Sequence, residues 1–168
     1  MSRISACLAA FICLFVVGAR AVASPPPLVN EPLTAVPAHP YDESADAHAD
    51  VAQAIARAAA THKYIMLDFG GNWCPDCRVT AGVLAMSGVR DWVDKNFVVV
   101  MIDAGRMNKN LDIAQTYDVR IKAVPTIVIL DAQSHMLNAG NPTALSDART
   151  MTPQAIVDTL SGWIGHPG

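Results

Sequence analysis

Asn72-Trp73-Cys74-Pro75-Asp76-Cys77 follows directly on an apolar run, Tyr64-Ile65-Met66-Leu67-Asp68-Phe69, and leads into a helix-forming stretch from Arg78 to Met86. Two cysteines three positions apart at a strand-to-helix junction have the geometry for reversible disulfide chemistry. A helix start presents unpaired N–H groups and the positive end of the helix dipole. A thiol held there loses its proton more readily, because the thiolate is stabilised. Cys74 takes that place. Cys77, one turn further in, faces the same side and can close a small ring with it. Pro75 suits the first helical turn, where its missing N–H costs nothing.

The 168 residues leave room for one domain of ordinary size. Residues 1–23 read as a secretory signal peptide: Arg3 gives a positive start, Leu8 to Val17 is apolar, and Ala21-Val22-Ala23 is a small-residue cleavage pattern. An uncleaved membrane anchor is the rival reading, but Ile4 to Gly18 is short for a span of about 20 residues. A lipoprotein reading at Cys7 fails because the apolar run follows that cysteine. The chain has four cysteines; cleavage removes Cys7 and Cys13 and leaves only the motif pair. The formal net charge is −3, and cleavage takes two arginines and no acid, so the mature chain is more acidic still. No basic stripe is available to neutralise phosphates, which argues against a nucleic-acid partner.

Ser24 to Pro40 holds Pro25, Pro26, Pro27, Pro32, Pro37 and Pro40. It cannot form a helix or a central strand, and residues 24–41 read as an extended linker before a domain over 42–168. A helix is expected from Asp42 or Ser44, with Ser44 as N-cap, to about Thr61; Val51, Ile55, Ala58 and Ala59 recur at helical spacing. Lys63 to Phe69, Phe97 to Ile102 and Thr126 to Leu130 read as buried strands. Ser87 and Gly88 interrupt the helix after the motif, and Val89 to Lys95 reads as a further helical turn or two. Leu111 to Tyr117 reads as a short helix, and His135 to Asn138 as a possible hairpin return. Thr152 caps a last helix with Pro153 at its first position and Ile156, Leu160 and Ile164 as its stripe. Helices alternating with buried strands give an α/β class, with helices on both faces of one sheet.

The strand, the Trp73-Cys74-Pro75-Asp76-Cys77 motif, the helix and the later Val124-Pro125-Thr126 before a strand resemble the thioredoxin superfamily over about Asp42 to Ile164. The resemblance implies a thioredoxin-like fold with a central mixed sheet and a thiol–disulfide oxidoreductase needing no cofactor. It also implies a cis bond before Pro125, packed beside the disulfide. Asp68, six residues before Cys74, matches the family's buried acid, and Trp73 matches its tryptophan. Cys-Pro-Asp-Cys is similar to the tetrapeptide of small cytosolic thioredoxin-related reductases, a setting that does not match a signal peptide. Thioredoxins carry a lysine on the second of these buried strands, facing the acid; Phe97 to Ile102 has none, with Val99 or a neighbour in its place. Asp68 is therefore expected to keep a raised pKa, since burial disfavours its charge and no cation offsets it. Gly82 stands where the family has a mid-helix proline, and the family's first strand is not visible in the proline-rich segment.

A structural disulfide is the plain alternative for Cys74 and Cys77. A four-residue ring restrains the unfolded chain by only about 2 kcal/mol, against ~4.7 for a 100-residue loop. Half a zinc site would need two more ligands, and no second Cys-x-x-Cys or Cys/His pair at ligand spacing exists. No metal site is expected. Asp68 is either a strand-end residue bonded to backbone or the acceptor, through water, of a proton from Cys77. Asp76 reads as a first-turn acid whose charge works against the neighbouring thiolate. Asp103 reads as a loop cap, Trp92 and Trp163 as core, and the histidines His39, His48, His62, His135 and His166 as surface residues. Trp73, Pro75, Asp76, Val124 and Pro125 are the expected substrate-contacting residues.

The expected activity is reduction of protein disulfides outside the cytoplasm, by a periplasmic or secreted monomer that draws electrons from a membrane donor. A periplasmic oxidase or isomerase, a cytochrome c maturation or metallochaperone-type protein, and a non-catalytic binding module are the alternatives.

Overall fold

The computed structural model describes residues 23–165. The signal-peptide and anchor readings fall on residues 1–23, of which 1–22, like residues 166–168, lie outside the described residues. Five α-helices and three strands are formed there: α1 (Ala47–Thr61), β1 (Tyr64–Gly70), α2 (Pro75–Leu84), α3 (Ser87–Asn96), β2 (Phe97–Asp103), α4 (Leu111–Gln115), β3 (Thr126–Leu130) and α5 (Pro153–Gly165), with a 3-10 turn at Ala148–Thr150 before α5. This is a thioredoxin-like α/β fold around a mixed sheet.

The sheet order is β2-β1-β3. β1 runs parallel to β2, with Asp68 opposite Met101, and antiparallel to β3, with Asp68 opposite Ile127. All seven residues of β1 are buried, as a central strand covered on both faces requires. Ile65, Leu67 and Phe69 face a core with Ala47, Val51, Ala54 and Ala58 of α1. Tyr64 and Met66 face the other core, built from α2, α3 and α5 with Ile127 and Ile129. Period-two alternation thus places Asp68 on the α2 side, above Met66.

The N-cap of α1 is Asp46, not Ser44. The Asp46 side chain accepts from the Ala49 amide at 3.1 Å, while the Ser44 hydroxyl donates to Asp42 at 2.6 Å. Asp42 folds the chain back on itself and so delays the helix until a second acid can cap it. The expected hairpin return is reduced to an isolated antiparallel bridge between Leu130 and Met136. α5 begins at Pro153 with the Thr152 hydroxyl accepting from the Ala155 amide at 3.2 Å, and Ile156, Leu160 and Ile164 are buried.

No strand precedes α1 among the described residues. Residues 24–41 form neither helix nor strand, and they lie against the domain. The Trp92 indole N–H donates to the Ser24 carbonyl at 2.9 Å, and the Ser24 amide donates to Asn96 at 2.8 Å. The Val29 amide donates to Gln154 at 2.6 Å, and Arg78 Nε donates to the Pro37 carbonyl at 2.9 Å. Gly82, in the last turn of α2, has the Ala35 carbonyl so close that a Cβ would sit 2.8 Å from it. The glycine lets this strap pass over the helix that carries the cysteines.

Candidate active site

Cys74 is the N-cap of α2, with extended backbone (φ −88°, ψ 116°), and Pro75 opens the helix. Cys74 and Cys77 form a disulfide with their Cα atoms 5.3 Å apart. The Cys77 amide donates to Cys74 Sγ at 3.1 Å, the bond an N-cap side chain normally accepts from the first turn. Cys74 keeps 3 % of its surface and Cys77 none, so an incoming sulfur reaches Cys74 first. The Val124–Pro125 peptide is cis, the isomer the resemblance implies, and the Val124 carbonyl oxygen lies 3.4 Å from Cys74 Sγ. Val124 and Pro125 are both buried.

Asp68 is fully buried on the same side of the sheet. Its neighbour on β2 is Met101, so the place facing the acid is apolar. Burial pushes the Asp68 pKa up to about 7, and the Tyr41 hydroxyl, donating to Oδ1 at 3.0 Å, pulls the other way. Among the described residues Oδ2 has no hydrogen-bond partner. Tyr41 is itself 2 % exposed and packs with Cys74, Cys77 and Val124. It was missed from sequence because it sits at the end of the proline-rich run; as the first aromatic residue after that run, it was the available signal. Asn72 fixes it: the Tyr41 amide donates to Asn72 Oδ1 at 3.0 Å and Asn72 Nδ2 donates back to the Tyr41 carbonyl at 3.0 Å.

Trp73 is 42 % exposed beside the disulfide. Its indole N–H donates to the Gly105 carbonyl at 2.7 Å, and the Arg106 guanidinium lies 5.2 Å from the ring centroid. Gly71 has no room for a side chain, since a Cβ would meet the indole nitrogen at 2.7 Å. Pro75 is exposed. Asp76 departs from the sequence reading. It is 5 % exposed and bound by Arg149, through the Arg149 amide at 2.9 Å and Nε at 3.2 Å. A cation therefore sits on the charge that was expected to oppose the thiolate. Asp103 caps its loop through the Gly105 amide at 3.0 Å and pairs with Lys109 at 2.9 Å.

His135 pairs with Asp131 at 3.0 Å just past Leu130, the β3 end that lies opposite Ile65. The redox pair is at the other end of the sheet, beyond Gly70. His48 pairs with Asp112 at 3.1 Å on the surface. Trp92 is buried and Trp163 half-buried against the α5 core. Among the described residues no three His, Cys, Asp or Glu side chains converge as a metal site would need.

A cysteine pair capping a helix, a cis-proline wall beside it and a buried acid on the same side of the sheet are features of the thioredoxin-like disulfide oxidoreductase family. The thioredoxin-like family model matches residues 46–132, and the chain belongs to that family. Among solved structures it is similar to a disulphide isomerase from Xylella fastidiosa Temecula1, at 35 % identity and TM-score 0.70, over 74 % of this chain and 95 % of that one. Among curated proteins it is 34 % identical over 80 residues to Thioredoxin-2 of Pyricularia oryzae, covering 46 % of this chain. The matched stretch is 41 % of that relative's length.

Proposed function

We propose that the chain reduces protein disulfides outside the cytoplasm, with Cys74 as attacking thiol and Cys77 as resolving thiol. The observation that carries this is the difference in access between two cysteines at one helix start: Cys74 at 3 % and Cys77 at 0 % residue exposure. In the reduced protein the Cys74 thiolate attacks one sulfur of a substrate disulfide. The substrate S–S bond breaks, and its other sulfur leaves as a thiolate that takes a proton. Cys77 gives its proton to Asp68 and attacks Cys74 Sγ. The mixed disulfide breaks, the second substrate sulfur leaves, and Cys74–Cys77 closes. Two electrons have passed to the substrate, and a dithiol donor restores the pair. Trp73, Pro75, Val124 and Pro125 line the approach to Cys74. Asp76 acts by holding the helix start, since Arg149 occupies its carboxylate.

Reduction is favoured by moderate thiolate stabilisation. One amide bond reaches Cys74 Sγ, and the neighbouring Asp76 carboxylate is paired with Arg149. A strongly stabilised thiolate would instead make an oxidant. Isomerisation is the second reading, favoured by the 35 % identity to the disulphide isomerase of Xylella fastidiosa. The reading of export, with its membrane electron donor, rests on the signal-peptide pattern of residues 1–23. The deciding experiment is a glutathione redox titration of the Cys74–Cys77 pair with an insulin-reduction assay. A potential near the thioredoxin value of about −270 mV with turnover is expected; one near the oxidising value of about −120 mV would make the protein an oxidase.

A further inference from the structure

A Cβ placed on Gly70 would run into the Tyr41 hydroxyl and lie 3.0 Å from Cys77 Sγ. The phenol tip and the resolving sulfur therefore flank one point at the end of β1. The same hydroxyl donates to Asp68 Oδ1 at 3.0 Å, while Oδ2 is buried and unpartnered. Tyr41 comes from the strap, outside the helices and strands, and is held by two backbone bonds to Asn72, two residues before Cys74.

We propose that Tyr41 is a positioning residue for the exchange reaction: its phenol holds Oδ1 of Asp68, leaving Oδ2 as the oxygen that takes the Cys77 proton. This rests on the reading that Cys77 resolves the mixed disulfide with Asp68 as proton acceptor. An immobile carboxyl presents one oxygen in one direction, and general-base transfer depends on such alignment. The phenol is fit for the task because it stays protonated: burial and the Asp68 charge both push its pKa up. Tyr41 also supplies what β2 does not. Met101 opposes Asp68, so the charged carboxylate is stabilised by a neutral donor from the strap and not by a cation from the sheet.

Among the described residues, the strap brings the Tyr41 hydroxyl to Asp68, β2 and β3 place the uncharged Met101 and Ile127 beside it, and Cys77 of α2 packs against Tyr41. Asp103, at the end of β2, acts on Tyr41 and is paired with Lys109. Because the phenol favours the charged carboxylate, its removal shifts the acid's titration upward.

The test uses Tyr41→Phe and Asn72→Ala in the full chain. Three readouts are taken: single-turnover formation of the mixed disulfide, its resolution as a function of pH, and carbon-13 NMR titration of the Asp68 carboxyl. Tyr41→Phe should leave attack by Cys74 unchanged and move the midpoints of resolution and of the carboxyl titration up by about one pH unit. Resolution at neutral pH then slows roughly fivefold. Asn72→Ala should shift both midpoints the same way by less. Unmoved midpoints in both variants overturn the role of Tyr41; if Tyr41→Phe does not fold, Asn72→Ala alone decides. If Asp68→Asn resolves at the wild-type rate, the proton-acceptor reading falls first, and the carboxyl titration shows separately whether the phenol holds the acid.

Discussion

Arg149 holds the carboxylate of Asp76, 73 residues away in sequence, by its own backbone amide at 2.9 Å and by Nε at 3.2 Å. The bond ties the 3-10 turn before α5 to the first turn of α2, between the two redox cysteines. Arg149→Ala removes the guanidinium and leaves the amide bond. The Asp76 charge is then less compensated, the Cys74 thiolate is less stable, and the pair becomes more reducing. Arg149 is half-exposed, so solvent screens much of the effect. Thiolate titration of the reduced protein should show a raised Cys74 pKa, with attack slowed by at most about fivefold. A lowered Cys74 pKa would show that Arg149 does not act through Asp76.

The two cysteines should behave unequally. Cys77→Ser cannot complete resolution and should accumulate mixed disulfides through Cys74, whereas Cys74→Ser has its remaining sulfur fully buried and should trap almost none. Non-reducing gels followed by mass spectrometry read the yields. Equal trapping would reverse or abolish the assigned order.

Replacing Asp68 with Asn keeps the shape and removes the proton acceptor. The first attack should be unchanged, and resolution should slow by about 10²-fold, the size of ordinary general-base help. Stopped-flow traces of the two steps separate them. Equal slowing of both steps would place Asp68 in a different role.

The same substitution has a stability signature in the oxidised protein. The Asp68 pKa is raised from 3.8 to about 7 in the folded chain, so the folded state binds the proton more tightly than the unfolded state. Stability is fully present below pH 3.8 and is lost as pH rises through the folded value, by on the order of 4 kcal/mol in total. Asp68→Asn removes this loss. Urea unfolding should show the variant gaining on the wild type as pH rises from acid to above 7; a constant difference would contradict the raised pKa.

Gly82→Ala sets two effects against each other. Alanine in a helix interior gains up to about 1 kcal/mol over glycine. Here its Cβ would meet the Ala35 carbonyl at 2.8 Å, and overpacking against backbone costs typically 1–3 kcal/mol. The clash is expected to win by lifting the strap. Limited proteolysis should then cut residues 24–41 faster than in the wild type, and resistance equal to the wild type would mean that the strap and helix separate without cost.

The order of helices and strands, the redox pair at a helix start, the first-turn prolines and the likeness of Val124-Pro125-Thr126 to a cis-proline wall were all legible in the chain. Each depends on spacing over a few residues: a strand buried on both faces reads as an unbroken apolar run, and a cap or first-turn proline reads from its immediate neighbours. The tertiary structure decided the rest. Sheet order and the antiparallel β3 follow from which faces pack, not from local pattern. Tyr41 reaches Asp68 across 27 residues and Arg149 reaches Asp76 across 73. At such separations nothing in the local pattern marks the partner, because contact is set by how helices seat on the sheet and where the strap crosses them. A proline-rich run shows only that the chain is extended; that it lies along α2 and delivers a phenol beneath the redox pair depends on the surface it meets.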